Sequence, residues 1–203
     1  MELYFDPVAT TSRAVAALCE HDDLAITLHR VALMKGEQHQ PPLSALNPNR
    51  QVPVLVDDDF VLTEASAILR YLARRTRSVL YPEDIRQQAR IDELIAWFET
   101  NLYRDFGFQF VYPQLLPHHR RRDEAGNDAT IAWGRSQSIR WLDILDAHFL
   151  GHGKPYLCGE APSLADLMGG SIISLGDLVG CDFDNWRASG DGSTRCRRFP
   201  AGR

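Results

Sequence analysis

Two stretches hold side chains whose types and spacing can do chemistry. The first runs from Gln51 through Val52-Pro53-Val54-Leu55 to a short acidic turn at residues 57–59, then to Thr63-Glu64-Ala65-Ser66. Proline supplies no amide hydrogen and fixes φ, so in an apolar, β-branched run it belongs at an edge, a strand start or a special turn. A cis Val52–Pro53 bond is one geometry that aims the Val52 N–H and C=O outward. Glu64 then stands where a helix opens. A carboxylate beside free helix N–H groups, next to an exposed backbone edge, makes a site for a short zwitterionic peptide. The second stretch, Gly159-Glu160-Ala161-Pro162-Ser163-Leu164-Ala165-Asp166, invites a catalytic reading because a hydroxyl and a carboxylate sit together. Their spacing is a capping box variant, in which the hydroxyl closes a helix start and the carboxylate reaches back to it. The structural reading is preferred.

These residues need elements to hold them. Residues 3–5 form a strand candidate, and Ser12 can cap a helix that carries Val15, Leu18 and Cys19 inward. Residues 25–31 alternate enough to be a second strand, completing a βαβ unit. Residues 35–50 read as a long polar connection with room for one short helix. Strands at 52–56 and 60–62 pair through the acidic turn, and a helix runs from 64 to 75. This β-α-β then β-β-α order is that of a thioredoxin-like domain. A linker follows at 76–86, where apolar periodicity lapses around Pro82. Beyond it, Ile91, Leu94, Ile95, Phe98 and Leu102 follow a three-four repeat, as do Ile139, Leu142, Leu145 and Phe149. The fold class is therefore α/β plus all-α: a thioredoxin-like domain at 1–75, the linker, an all-α helical bundle at 87–186 and an irregular tail at 187–203.

Composition narrows the function. With 203 residues, 44% of them hydrophobic, the chain can bury a sizeable core. A formal charge of −5 supplies no global basic field for nucleic acid. The one basic run, His118 to Arg122, meets Asp123 and Glu124 and reads as a solvated helix end or loop. Cys19, Cys158, Cys181 and Cys196 show no Cys-x-x-Cys or metal-ligand spacing, so no metal is expected. No apolar run approaches the ~20 residues of a membrane span, and the default setting is reduced and cytoplasmic.

Leu3-Tyr4-Phe5, Ser12-Arg13-Ala14-Val15, Asn47-Pro48, Val52-Pro53-Val54-Leu55, Glu64 and Ala67-Ile68-Leu69-Arg70-Tyr71-Leu72 together form a specific pattern. The chain resembles the glutathione S-transferase family, nearest its theta-like bacterial group, over residues 1 to about 186. The resemblance implies glutathione as cosubstrate, an electrophilic small molecule as second partner, a homodimer and a role in detoxification. It assigns backbone bonds to Val52, ahead of Pro53, and a charge partner for the glutathione α-amino group to Glu64. The next position, usually serine, is Ala65. Its N–H and the helix dipole survive, but one hydrogen bond is lost, roughly 0.5–1.5 kcal/mol or up to tenfold in affinity. Ser66 compensates if its side chain turns back. Gln38, His39 and Gln51 are candidates for the glycyl carboxylate.

A thiol of pKa ~8.5 is only a few per cent ionised at neutral pH, so a hydroxyl donor to the thiolate helps. In theta-like members a serine after the first strand is that donor, and its position here is Ala9. Thr10 is the first substitute, then Ser12 and Thr11; Tyr4 is a further option, although a packing role in the strand is favoured. No cysteine lies between residues 7 and 13, which argues against disulfide oxidoreductases and cysteine-type transferases. In the second domain, Phe106, Phe108, Phe110 and Tyr112 are candidates either for an electrophile pocket or for core packing.

The tail departs from the family. Residues 187–203 hold three glycines and five arginines without helical periodicity. Back-translated with GC-rich codons and shifted by one base after the Trp186 codon, they spell an amphipathic helix, so a frameshifted ending is expected. Ala9, Ala65 and this tail keep a second reading open, a non-catalytic binding or interaction module of the same fold. A glutathione-dependent dehalogenase or isomerase shares the first reading's site.

Overall fold

The computed structural model describes residues 1–151 and 153–183, so the expected frameshifted tail lies outside the described residues. Two compact units divide them, Met1–Gln88 and residues 89–183.

In the first unit, β1 (Glu2–Phe5), β2 (Thr27–Arg30), β3 (Val54–Asp57) and β4 (Phe60–Leu62) form one sheet in the order β2-β1-β3-β4. β1 and β2 are parallel, joined by helix α1 (Thr10–His21), while β3 runs antiparallel to both β1 and β4. Side chains alternate across a strand. Leu3 and Leu55 are fully buried with Val15 and Leu18 of α1 and with Ile68, Leu69 and Leu72 of α3 (Ala65–Thr76), which packs on α1. Their neighbours Tyr4 and Val54 join a separate apolar cluster with Val31, Leu43, Val52, Ala9, Leu33 and Leu46. Asp22 ties the C-terminal ends of α1 and α3 together by accepting from Thr76 Oγ1 (3.2 Å) and Ser78 Oγ (3.0 Å). The polar connection after β2 holds two short 3-10 turns, Leu33–Lys35 and Glu37–His39, and a single α-helical turn, α2 (Leu43–Leu46).

The strand expected at 52–56 starts only at Val54, because Pro53 has no ladder donor and is joined to Val52 by a cis bond. The helix cap expected at Ser12 lies at Ala9, three residues earlier, because the Asp6–Ala9 turn brings the chain into helical geometry by Thr10.

The second unit is helical. α4 (Ile85–Trp97) buries Ile91, Leu94 and Ile95, and the chain then widens into a π-helical stretch, Phe98–Val111. In that wider register Phe98, Leu102, Phe106 and Val111 stay buried at steps of four and five. The single turn α5 (Tyr112–Leu115) and a 3-10 turn (Pro117–His119) lead through the basic run to Asp123, whose carboxylate caps α6 (Glu124–Ile144). Gly134 of α6 lies against the π stretch, where an added Cβ would stand 2.6 Å from the Gln109 carbonyl carbon. Buried Asp105 locks the same contact by accepting from Trp141 Nε1 (2.8 Å) and Gln109 Nε2 (2.7 Å), with Arg104 alongside. α7 (Leu164–Ile173) opens on the Ser163–Asp166 box and is almost wholly buried.

Cys19, Cys158 and Cys181 are free thiols. Burial pushes Cys19 and Cys158 up to about 11 and raises Cys181 as well. Among the described residues no helix is long and apolar enough to cross a membrane.

Candidate functional site

Strand register brings the sequence-selected residues to one end of the first sheet. Tyr4 pairs with Val54, and Leu55 with Leu62. Asp6 follows β1, Val52 precedes β3 and Glu64 follows β4, so the three residues leave the sheet at the same end. β2, parallel to β1 with Phe5 opposite Arg30, delivers residues 31–33 to the same end. Ala9, Leu33 and Val52 then meet in one apolar cluster.

Each segment is held by identifiable bonds. The Val52–Pro53 bond is cis, and Val52 is largely buried. Gln51 is exposed, and its carbonyl accepts from Asn47 Nδ2 at 2.9 Å. Asn47 is itself buried and also accepts from Asn49 N–H (2.9 Å), so it fixes the turn that leads into Val52. The sequence motif contained Asn47 but gave it no task.

Glu64 is exposed and adopts φ 66° and ψ 116° as the N-cap of α3, with no side-chain bond to the helix amides. A non-glycine residue at positive φ costs of order 1 kcal/mol and persists where its surroundings demand it. Here the carboxylate makes no bond to the first amides of α3 and leaves them open. Ala65 behind it is buried and Ser66 half-buried, with the Ser66 carbonyl occupied by Arg70 Nη1 at 3.0 Å.

At the start of α1, Ala9 has extended geometry suited to a cap (φ −77°, ψ 120°) but only a methyl group to offer. Thr10 and Ser12 are both buried, and Ser12 Oγ has no hydrogen-bond partner among the described residues. The same holds for Gln38 Oε1 on the Glu37–His39 turn, whereas His39 is exposed. Tyr4 is accounted for by packing: its hydroxyl donates to Glu2 (3.3 Å), its ring stacks on His29 at 4.7 Å, and burial and Glu2 raise its pKa.

In the second unit the π stretch separates the four aromatic candidates. Phe106 is core, with Phe110 6.0 Å from it. Phe108 and Tyr112 lie elsewhere with Tyr103, whose hydroxyl is 2.7 Å from that of Tyr112. The His119 ring packs there too, tilted against Tyr112 at 5.0 Å, and burial, then His118, lowers its pKa. Gly107 leaves space for the Tyr103 ring, which an added Cβ would meet at 2.6 Å. Among the described residues no group of three or more His, Cys, Asp or Glu side chains gathers to hold a metal ion.

Comparison with known proteins agrees with this geometry. Residues 4–74 match the family model "Glutathione S-transferase, N-terminal domain". Human glutathione S-transferase theta-1 is 34% identical over 186 residues, covering 89% of this chain and 74% of that protein. Mouse glutathione S-transferase theta-3 is 39% identical over 187 residues, covering 89% and 75%. Among solved structures, apo human glutathione-S-transferase T1-1 superposes with a TM-score of 0.81 at 30% identity, over 98% of this chain and 81% of that one. Human glutathione transferase theta-2, solved with glutathione and an unknown ligand, gives a TM-score of 0.81 at 28% identity, over 97% and 79%.

Proposed function

The chain belongs to the glutathione S-transferase family, and from that premise we infer which of its residues carry the reaction. It is a glutathione transferase: the cosubstrate supplies a thiol that attacks an electrophilic small molecule. Val52 offers its backbone N–H and C=O to the cysteinyl unit. Glu64 pairs with the α-amino group. The amides of Ala65 and Ser66, at the positive end of α3, take the α-carboxylate. Gln38, His39 and Gln51 serve the glycyl carboxylate. Thr10 and Ser12 are the hydroxyls assigned to the thiol, in place of the methyl of Ala9. Phe108 and Tyr112 are assigned to the electrophile, while Phe106 and Phe110 serve packing. The protein works as a homodimer in the cytoplasm.

One observation carries this reading. No side chain caps the start of α3, and Glu64 stands exposed before it at φ 66°, so the first amides of that helix are left open to an anion beside a carboxylate.

Calorimetric titration with reduced glutathione, with S-methylglutathione as control, tests the reading. Binding in the micromolar to low-millimolar range is expected, followed by turnover of an aromatic halide. Folded protein that binds neither would sink it. Ala9 also favours a second reading, a binding module of the same fold, whose mark is glutathione binding without turnover.

A further inference from the structure

Asp6 follows β1 directly and is 1% exposed, yet no part of the reaction described so far uses it. Its Oδ2 accepts from Leu33 N–H at 2.9 Å and its Oδ1 from Val8 N–H at 3.3 Å. Its main-chain carbonyl accepts from Ala9 N–H at 2.9 Å. Arg30 Nε stands 3.9 Å from Oδ1 on a mostly exposed side chain, a loose charge partner.

The location gives these bonds their meaning. The β1–β2 ladder ends where Val31 N–H reaches Phe5 O at 2.8 Å. Past that point the two chains diverge, one toward α1 and the other toward the turn that carries Gln38 and His39. The Asp6 carboxylate takes the next amide after the ladder has stopped, across 27 residues of sequence. Glu37 Oε2 accepts from Ala32 N–H at 2.7 Å and folds the same segment back on itself. Two carboxylates thus root the segment that bears Gln38, and Asp6 is the one that joins it to the start of α1. An ionised carboxylate only accepts, so it takes two amides from different directions; an asparagine would turn an N–H against one of them.

We propose that Asp6 is a positioning residue for glutathione. It holds the α1 start, with Thr10 and Ser12, at a set distance from the Gln38–His39 turn, around Val52. The inference rests on the glutathione reading above. Asp6 touches no substrate and acts through the two segments it joins.

Wild type, Asp6→Asn and Asp6→Ala are compared by steady-state kinetics with reduced glutathione and a chlorodinitrobenzene electrophile varied separately, by thermal melting, and by amide exchange at Leu33. Asp6→Ala leaves two amides unpaired, and the glutathione KM is expected to rise about tenfold or more. The KM for the electrophile should stay within about twofold of wild type. Asp6→Asn keeps one acceptor and should give a smaller rise in the same KM, with faster exchange at Leu33. A purely structural role would lower the melting temperature and move both KM values together, or neither, and either pattern overturns the proposal. If Asp6→Ala does not fold, Asp6→Asn decides alone: faster exchange at Leu33 with an unchanged glutathione KM overturns it. A wild-type protein that binds no glutathione removes the glutathione reading and this inference together, before any variant is made.

Discussion

Helix starts in this molecule are handled in two ways. At α4, α6 and α7 the chain closes its own ends. Asp84 Oδ1 accepts from Arg86 and Gln87 N–H, and Asp123 accepts from Gly126 N–H at 2.7 Å. Ser163 and Asp166 complete a reciprocal box in which Asp166 also accepts from Leu157 N–H at 3.0 Å. At α1 and α3 no side chain closes the start: Ala9 has no hydroxyl, and Glu64 points its carboxylate elsewhere. A side-chain cap is worth about 1 kcal/mol, so leaving it out costs stability. What it leaves is a set of amides with partial positive charge, available to an anion. Closed starts serve folding, and in the function proposed above the open start of α3 serves the ligand.

Exchanging the two kinds of start should exchange their effects. Asp166→Ala unpairs buried amides at Leu157 and Ser163, and about 3 kcal/mol or more of stability should be lost in urea unfolding. Glutathione affinity of the folded fraction should not change; a large change would show that α7 is no mere folding element. Glu64→Gln makes the opposite exchange. Calorimetry should report glutathione binding weakened about ten- to hundredfold, the worth of a bond to a charged group, with the melting temperature held. A variant that binds as wild type does would remove Glu64 from the site. Ala65→Ser should sharpen the open start of α3, tightening glutathione by up to about tenfold through one added hydroxyl bond. Ala9→Ser is the smallest change: it closes α1 and should add about 1 kcal/mol, a rise of roughly 2–4 °C in melting temperature. An unchanged melting curve would mean that α1 was never open.

Legibility in the sequence follows the same division. Alternation and the three-four repeat are local, so the strands, α1, α3 and α4 could be read directly, as could the Ser163–Asp166 box. Ser12 was misplaced as a cap because a hydroxyl three residues into a helix looks the same in sequence as one at its start; only the Asp6–Ala9 turn separates them. The π register after Trp97 was hidden, since Phe98 and Leu102 satisfy α and π spacing alike. That register sends Phe106 to the core and Phe108 away from it. Asp6 and Asn47 were missed for another reason. Their partners, Leu33 N–H and the Gln51 carbonyl among them, are backbone groups, which no pattern of side chains announces.

A protein that brings electrophiles to a reactive sulfur faces a competition with its own thiols. Cys19 and Cys158, with thiols near 11, hold only about one thiolate in ten thousand at neutral pH, and Cys181 is shifted the same way. Burial thus makes these sulfurs poor targets for self-alkylation. Among the described thiols, mass spectrometry after prolonged turnover should find Cys19 and Cys158 unmodified.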